Sequence, residues 1–420
     1  MIAPKIHGEW LQAPATRAVM AALEAARPGG ARFVGGCVRN ALLHEPVEDV
    51  DIATSLLPEA VLQAGEAAGL KSVPTGLAHG TVTLIALGRP FEITTLRQDV
   101  QTDGRRAKVA FTQDWAQDAQ RRDFHLNALY ADADGQVFDP TGQGLADLRA
   151  RRIRFVGDAS QRIREDYLRI LRFFRFSAWY GAGALAPEAL VACAAQKAGL
   201  AQLSAERVWK ELKRLLAAQD PRAALYAMHE TGVLAQCLPE GQFDGPDALS
   251  VADALIGADL DHHFVPDPLL RFAALLQRAG HGAAQACAAR LRLSRQESER
   301  VCAALRPQAR MVSFLSPREV RRALYDMGKE PFCDQVRLAW AQQNKAKAVP
   351  QWRALLALAD SWARPHLPLS GEEILAAGTP AGPLVGVVRA EVEAWWIDCD
   401  FPDDKLALVE RLKAVVQALA

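Results

Sequence analysis

Two aspartates with one residue between them, Asp49 and Asp51 in VEDVDIA, are the pair whose spacing most directly suggests chemistry. Side chains alternate along a strand, so both carboxylates are expected on one strand face. Held side by side they repel, and a divalent cation relieves the repulsion. Mg²⁺ takes hard oxygen ligands, typically one or two carboxylates together with substrate phosphates. Upstream, Gly35 and Gly36 allow close backbone approach to a phosphate, and Arg39 can bring a charge to it. A third acid, Glu92 in FEITTLR, falls in another expected strand from which it could assist the pair as ligand or base. A lone DxD is usually two solvated acids and a lone Gly-Gly usually a turn. It is the order that is specific: Gly-Gly, Arg, a short helix, then DxD on a strand.

Two later segments carry charge in a pattern. In QRRDFHLNALYAD (residues 120 to 132), adjacent arginines can neutralise a phosphate chain while Asp123 accepts hydrogen bonds from sugar hydroxyls. The plainer alternative is a cluster of ion pairs, and His125 and Asn127 read as structural. In REDYLRILRFFRFSA, 100° per residue puts Asp166, Arg169, Arg172 and Arg175 on one half of a helix. Tyr167, Ile170, Leu171, Phe174 and Ala178 fall on the other. Phe173 and Phe176 lie on the polar half, which suggests a cleft wall where a base could stack. Glu206, Arg207, Glu211 and Lys213 read as pairs that hold helices together.

The elements that must position these residues change character along the chain. Residues 31 to 150 alternate short apolar runs with turn signals, as in ARFVGGCV, DVDIAT, GTVTLIAL and FEITTL, which predicts a small mixed sheet with short helices. From about residue 159 the period is helical and stays so, giving an α+β fold class: a head followed by an all-α remainder. Breaks are expected near Gly157, Asp220-Pro221 and Ser316-Pro317. A chain of 420 residues, half of them hydrophobic, can bury several cores.

Composition narrows the partners. Net charge is zero, which argues against indiscriminate coating of nucleic acid. The charge is unevenly spread: residues 1 to 150 hold 14 Lys and Arg against 18 Asp and Glu, whereas residues 151 to 220 hold 13 against 7. The acidic part suits metal ions and the basic part phosphates. The N-terminal residues lack the pattern of an export signal, and no long uncharged apolar stretch suits a membrane. Seven scattered cysteines without a CxxC read as free thiols in a reducing cytoplasm. Asp261-His262-His263 lacks companion acid and His motifs, so phosphohydrolase activity is not expected.

The Gly-Gly, Arg, DxD series resembles the polymerase-β type of nucleotidyltransferase. RRDFHLNAL, DPTGQGLADLRARRIRFVGD, EDYLRILRFFRF and AERVWKELK resemble class II CCA-adding enzymes and bacterial poly(A) polymerases, in family order over residues 31 to 216. The resemblance implies a nucleotidyltransferase head (1–150), a helical neck that recognises the nucleotide base (151–220), a body (221–316) and a tRNA-binding tail (317–420). It implies Mg²⁺ on Asp49 and Asp51, with Gly36 and Arg39 at the triphosphate. Arg122 and Asp123 would fix sugar and phosphates, and Asp166 and Arg169 would face the base, with Arg172 and Arg175 nearby. Asp166 and Arg169, an obligate acceptor and an obligate donor three residues apart, would hold each other while selecting C and A. The implied partners are ATP, CTP and the acceptor and TΨC arm of tRNA. Asn40 stands where the family motif has Asp, which loses a charge. Poly(A) polymerase, a partial CC- or A-adding enzyme, and a catalytically dead RNA-binding module are the alternatives. RQDVQTDGRRAKVAF (97–111) is expected to be a mobile loop that favours full CCA addition.

Overall fold

The computed structural model describes the backbone of residues 4–103, 106–307 and 311–419, and their side chains except within 99–109. Its strands are β1 (Ala31–Val34), β2 (Asp51–Thr54), β3 (Lys71–Gly76), β4 (Thr81–Ala86), β5 (Arg89–Thr95), β6 (Arg97–Asp103), β7 (Arg106–Phe111), β8 (Tyr130–Ala131) and β9 (Val137–Phe138). Seven of them form one sheet in the order β3-β4-β5-β2-β1-β8-β9. Every pairing is antiparallel except β2 with β5, which run parallel with Asp51 opposite Glu92 and Ile52 opposite Ile93. A parallel return cannot be made by a tight turn, and here the chain passes through the helix Pro58–Ala67 and the β3–β4 hairpin.

Alternation along the strands builds a core on each face of the sheet. Val82, Leu84 and Ala86 are buried every second residue along β4. Phe33 and Ile52 are buried with Val19, Leu23 and Val61 of the helices Pro14–Ala26 and Pro58–Ala67. The neighbouring positions Val34 and Ala53 join Leu96, Ala119, Ala128, Tyr130 and Val156 in a second cluster. The segment 97–111, expected as a loop, is mostly an antiparallel hairpin of β6 and β7, with Gly104 and Arg105 outside the described residues. Its sequence is mostly polar and carries no strand alternation, so only the backbone pairing of 97–111 reveals the strands.

One buried acid ties the second cluster together. Asp118, on the helix Trp115–Gln120, accepts from Arg121 Nε (2.8 Å), Arg122 Nη2 (2.9 Å), the Tyr130 hydroxyl (2.7 Å) and the Arg97 backbone N–H (3.3 Å). It thereby joins the hairpin, the helix and β8.

Beyond β9 the described elements are helical. Leu168–Tyr180 and Ala205–Leu216 pack together through Val208, Leu212, Leu215 and Leu216 on one side and Ile170, Leu171 and Phe174 on the other. The chain divides into two compact units, 1–246 with 290–292, and 247–289 with 293–420. In the second unit one cluster centres on Phe332, Val336 and Trp352, another on Ile374, Val392 and Trp396. Three of its helices start on full capping boxes, Ser294 with Glu297, Ser316 with Glu319 and Ser370 with Glu373, which satisfy orphan N–H groups.

Burial alone would raise the Asp118 pKa, but Arg122 and Arg121 beside it and the Tyr130 hydroxyl bring it from 3.8 down to about 2. A carboxylate held below its unfolded value stabilises the fold above that value and loses the contribution as pH falls through the folded one. Asp118 should therefore contribute roughly 2 kcal/mol at neutral pH that disappears between about pH 4 and pH 2. Asp118→Ala should cost about 3 kcal/mol or more, because two arginines lose their counter-charge. Urea denaturation of both proteins across that range measures it; an unchanged midpoint in the variant would rule the role out.

Candidate active site

The turn between β1 and the helix Gly36–Leu43 has the geometry of an anion cradle. Gly35 has φ 72°, a conformation that glycine alone adopts without strain, and caps the helix. A Cβ there would also stand 3.7 Å from the Asn127 carbonyl and 3.8 Å from Arg122 Nη1. The first turn of this eight-residue helix has no side-chain cap, and its N–H groups and dipole favour an anion. This helix borders a cavity of about 600 Å³ lined by Gly36, Arg39, Asn40, Asp49, Asp51 and Trp179, among others.

Asp49 and Asp51 meet in that cavity, although the local geometry differs from expectation. β2 begins at Asp51, and Asp49 lies in the irregular segment before it, so the two are not neighbours on one strand face. The chain turns at His44 and stays irregular through Val50, so the strand begins two residues later than expected. Glu92 is the strand neighbour of Asp51 instead, placed by the parallel register of β2 and β5. Among the described residues, the side chains of Asp49, Asp51 and Glu92 take no hydrogen bond and no ion pair, and all three are solvent-accessible. Burial, then Glu92, then Asp49 push the Asp51 carboxyl up, and Arg122 opposes them weakly. This accumulation of negative charge suits a hard cation. No group of three His, Cys, Asp or Glu forms a metal cage among the described residues. An acidic pair completed by substrate phosphates is the arrangement Mg²⁺ favours, so the donor set fits that ion.

The arginines near the cradle are more committed than their spacing suggested. Arg39 is buried, and donates to Asn127 Oδ1 (2.6 Å), Asn40 Oδ1 (2.8 Å) and the Tyr180 hydroxyl (2.8 Å). These acceptors are all neutral, and Arg39 lines the cavity, so its charge still reaches that space. Asn40 does more than lack a charge. Its carboxamide oxygen accepts from Arg39 while its Nδ2 donates to the Pro46 carbonyl (2.8 Å), a bond an ionised Asp could not make. It thus ties the cradle to the segment that carries Asp49.

Arg122 pairs with Asp118 and Tyr130, which offset the cost of burial and raise its pKa. Asp123 accepts from Arg172 Nε (2.8 Å) and Asn127 Nδ2 (3.0 Å); burial works against its charge, but Arg172 and Asn127 hold it at about 2. Both residues therefore sit in the ion-pair cluster that was the plainer alternative, at the edge of the cradle. His125 is buried against Asp147 at 3.0 Å, a structural contact as expected.

On the arginine helix three expectations need correction. Asp166 ends the helix Ala159–Glu165 and precedes Leu168–Tyr180, where its Oδ1 accepts from the Leu168 N–H (3.0 Å). Arg169 does not pair with it: Arg169 bonds Glu165 (2.5 Å) and the Arg162 carbonyl (2.8 Å), while Asp166 Oδ2 takes Arg207 (2.6 Å). A helix break at 166–167 turns the two side chains to different partners. Phe173 and Phe176 are buried rather than lining a cleft, packed on Phe155 and Phe124. Arg172 reaches Asp123, and Arg175 lies 2.7 Å from Glu211, its pKa lowered by burial to about 10. Arg207 and Glu211 do hold helices together, Arg207 through Asp166 at the break before the arginine helix and Glu211 through Arg175 on it. Trp179 and Tyr180, at the end of the arginine helix, join the site without having been expected, and Asn127 has the structural part that was expected, between Arg39 and Asp123.

Known proteins bear on this arrangement. A family model described as the poly A polymerase head domain matches residues 31–154, and one described as the probable RNA and SrmB-binding site of polymerase A matches residues 184–243. The mitochondrial CCA tRNA nucleotidyltransferase 1 of Danio rerio is 34% identical over 87% of this chain and 83% of its own length. The CCA-adding enzyme of Leuconostoc citreum is 44% identical over 45% of this chain and 46% of its own. A solved CCA-adding enzyme of Bacillus stearothermophilus in complex with CTP superposes with a TM-score of 0.72 at 27% identity, covering 96% of this chain and 99% of that one. With the cradle and the acidic pair in place and the likeness running almost end to end, the chain belongs to the CCA-adding tRNA nucleotidyltransferases.

Proposed function

We propose that this protein adds CMP and AMP from CTP and ATP to the 3′ end of tRNA, without a nucleic-acid template, releasing pyrophosphate. The observation that carries the reading is the unneutralised pair Asp49 and Asp51 in one cavity with the helix N-terminus at Gly36. Membership in a family whose relatives are named for CCA addition supports it. The RNA 3′-hydroxyl forms a bond to the α-phosphorus as the bond to the pyrophosphate oxygen breaks. Asp49 and Asp51 would hold Mg²⁺, which would supply activation of the hydroxyl and neutralise charge on the leaving oxygens. Gly35 and Gly36 with the helix N-terminus take the triphosphate, and Arg39 adds its uncompensated charge. Glu92 sharpens the negative field at Asp51.

Base selection falls to Asp166 and Arg169 at the start of the arginine helix, each held by a partner of its own, Arg207 and Glu165. Cytosine and adenine share an amino donor beside a ring-nitrogen acceptor, and uracil and guanine present the reverse. One fixed acceptor and one fixed donor therefore separate the two pairs. Head, neck, body and tail at 1–150, 151–220, 221–316 and 317–420 belong to the same proposal, as do phosphate contacts with the tRNA acceptor and TΨC arm. Among the described residues no helix is long and apolar enough to cross a membrane. Cytoplasmic residence is part of the proposal, although the Danio rerio relative is named mitochondrial.

A tRNA lacking its CCA, incubated with CTP, ATP or both, tests the reading: C addition from CTP alone and completion only with both is expected. A run of A from ATP alone would indicate a poly(A) polymerase, arrest after CC a partial enzyme, and no extension a dead module. Asp49→Ala should abolish turnover with the fold intact; activity within about tenfold of wild type with Mg²⁺ would remove the metal assignment. Asp166→Ala and Arg169→Ala should each relax discrimination against UTP and GTP by roughly 10- to 100-fold, the cost of an unpaired polar group. Unaltered fidelity in both would show that the base is read elsewhere.

A further inference from the structure

The cavity that holds the acidic pair is hostile to a nucleic-acid backbone. Besides Asp49 and Asp51 it is lined by Glu45 and Glu48 against the single guanidinium of Arg39, so the RNA strand end approaches four carboxylates and one cation. A neutral, stacking contact is the kind of interaction that can hold it there without adding phosphate repulsion. Two aromatic residues line this cavity, Trp179 and Tyr180. Tyr180 is already engaged, with its hydroxyl 2.8 Å from Arg39 Nη2 and its ring 4.0 Å from the Arg39 guanidinium. Trp179 is 48% exposed, and its indole N–H donates to the Arg214 carbonyl at 2.7 Å. Its one polar atom is thus satisfied and the ring is fixed in place, which lowers the entropy lost when a base lands on it.

From this we infer that the exposed indole face of Trp179 is the platform on which the 3′-terminal base of the RNA stacks. The inference rests on the proposed CCA addition and assigns a residue to the RNA rather than to the nucleotide. Phosphoryl transfer in line sets the attacking and leaving groups on opposite sides of the phosphorus. The incoming base and the RNA end therefore occupy separate places. Arg169, assigned to the incoming base, lies ten residues before Trp179 in one helix, about 15 Å along its axis. A single base cannot touch both. Phe173 and Phe176, the aromatic residues that sequence suggested for stacking, are buried in the helix packing, which leaves this role to Trp179.

The test compares wild type, Trp179→Ala and Trp179→Phe on tRNA lacking its CCA, measuring the KM for RNA at saturating CTP, the KM for CTP at saturating RNA, and RNA affinity without nucleotide. Trp179→Ala should raise the RNA KM and weaken RNA binding about tenfold while the CTP KM stays within about twofold, as loss of one base–aromatic stack predicts. Trp179→Phe keeps a ring but loses the N–H, and should recover most of the affinity. An active Trp179→Ala protein with unchanged RNA KM and affinity would overturn the inference and leave CCA addition standing. A rise in the CTP KM instead would overturn it by giving Trp179 to the incoming base. If wild type adds no nucleotide to any RNA, the proposed function fails and this inference with it.

Discussion

Three carboxylates that repel one another, Asp49, Asp51 and Glu92, are the constraint to which the rest of the head answers. The parallel pairing of β2 with β5 sets Glu92 beside Asp51, and no side chain among the described residues neutralises either. Like charges at such spacing are a cost in the free protein that a bound cation removes. The buried sheet makes the cost sustainable: Ile52, Ala53, Ile93 and Thr95 are buried in the same two strands. The core fixes the register, and the register sets Glu92 beside Asp51.

Positive charge is distributed in the opposite way. Arg121, Arg122, Arg169, Arg172, Arg175 and Arg207 each meet a carboxylate, and Arg39 is held by neutral acceptors. Buried ion pairs of this sort contribute little net stability compared with apolar packing, because desolvation consumes most of the attraction. What they provide is position. Arg172 joins the arginine helix to Asp123, and Asn127 bridges Asp123 to Arg39, so a single network links that helix to the helix Gly36–Leu43.

The helix Leu168–Tyr180 shows how packing overrides a helical wheel. Its wheel separates polar from apolar halves correctly for Ile170, Leu171 and Phe174, which are buried. It misplaces Phe173 and Phe176, because packing from two sides covers more than half of the helix circumference. The residue left with an exposed ring is Trp179, near the end of the helix.

Local physics was enough to read several features from the chain alone. Strand alternation and turn residues located the small mixed sheet and the change to helices near residue 159, and the Gly-Gly turn and the acidic pair pointed to the residues that line one cavity, because these depend on neighbours within a few residues. Pairing over long separations was not legible. The Arg39–Tyr180 bond spans 141 residues and Arg172–Asp123 spans 49, and no local period encodes either. The break at Asp166, the exchange of Arg169 from Asp166 to Glu165, the start of β2 at Asp51 rather than Asp49, and the hairpin at 97–111 were likewise settled by tertiary packing. In each case several local conformations are close in energy, and the contacts made by the folded chain select one.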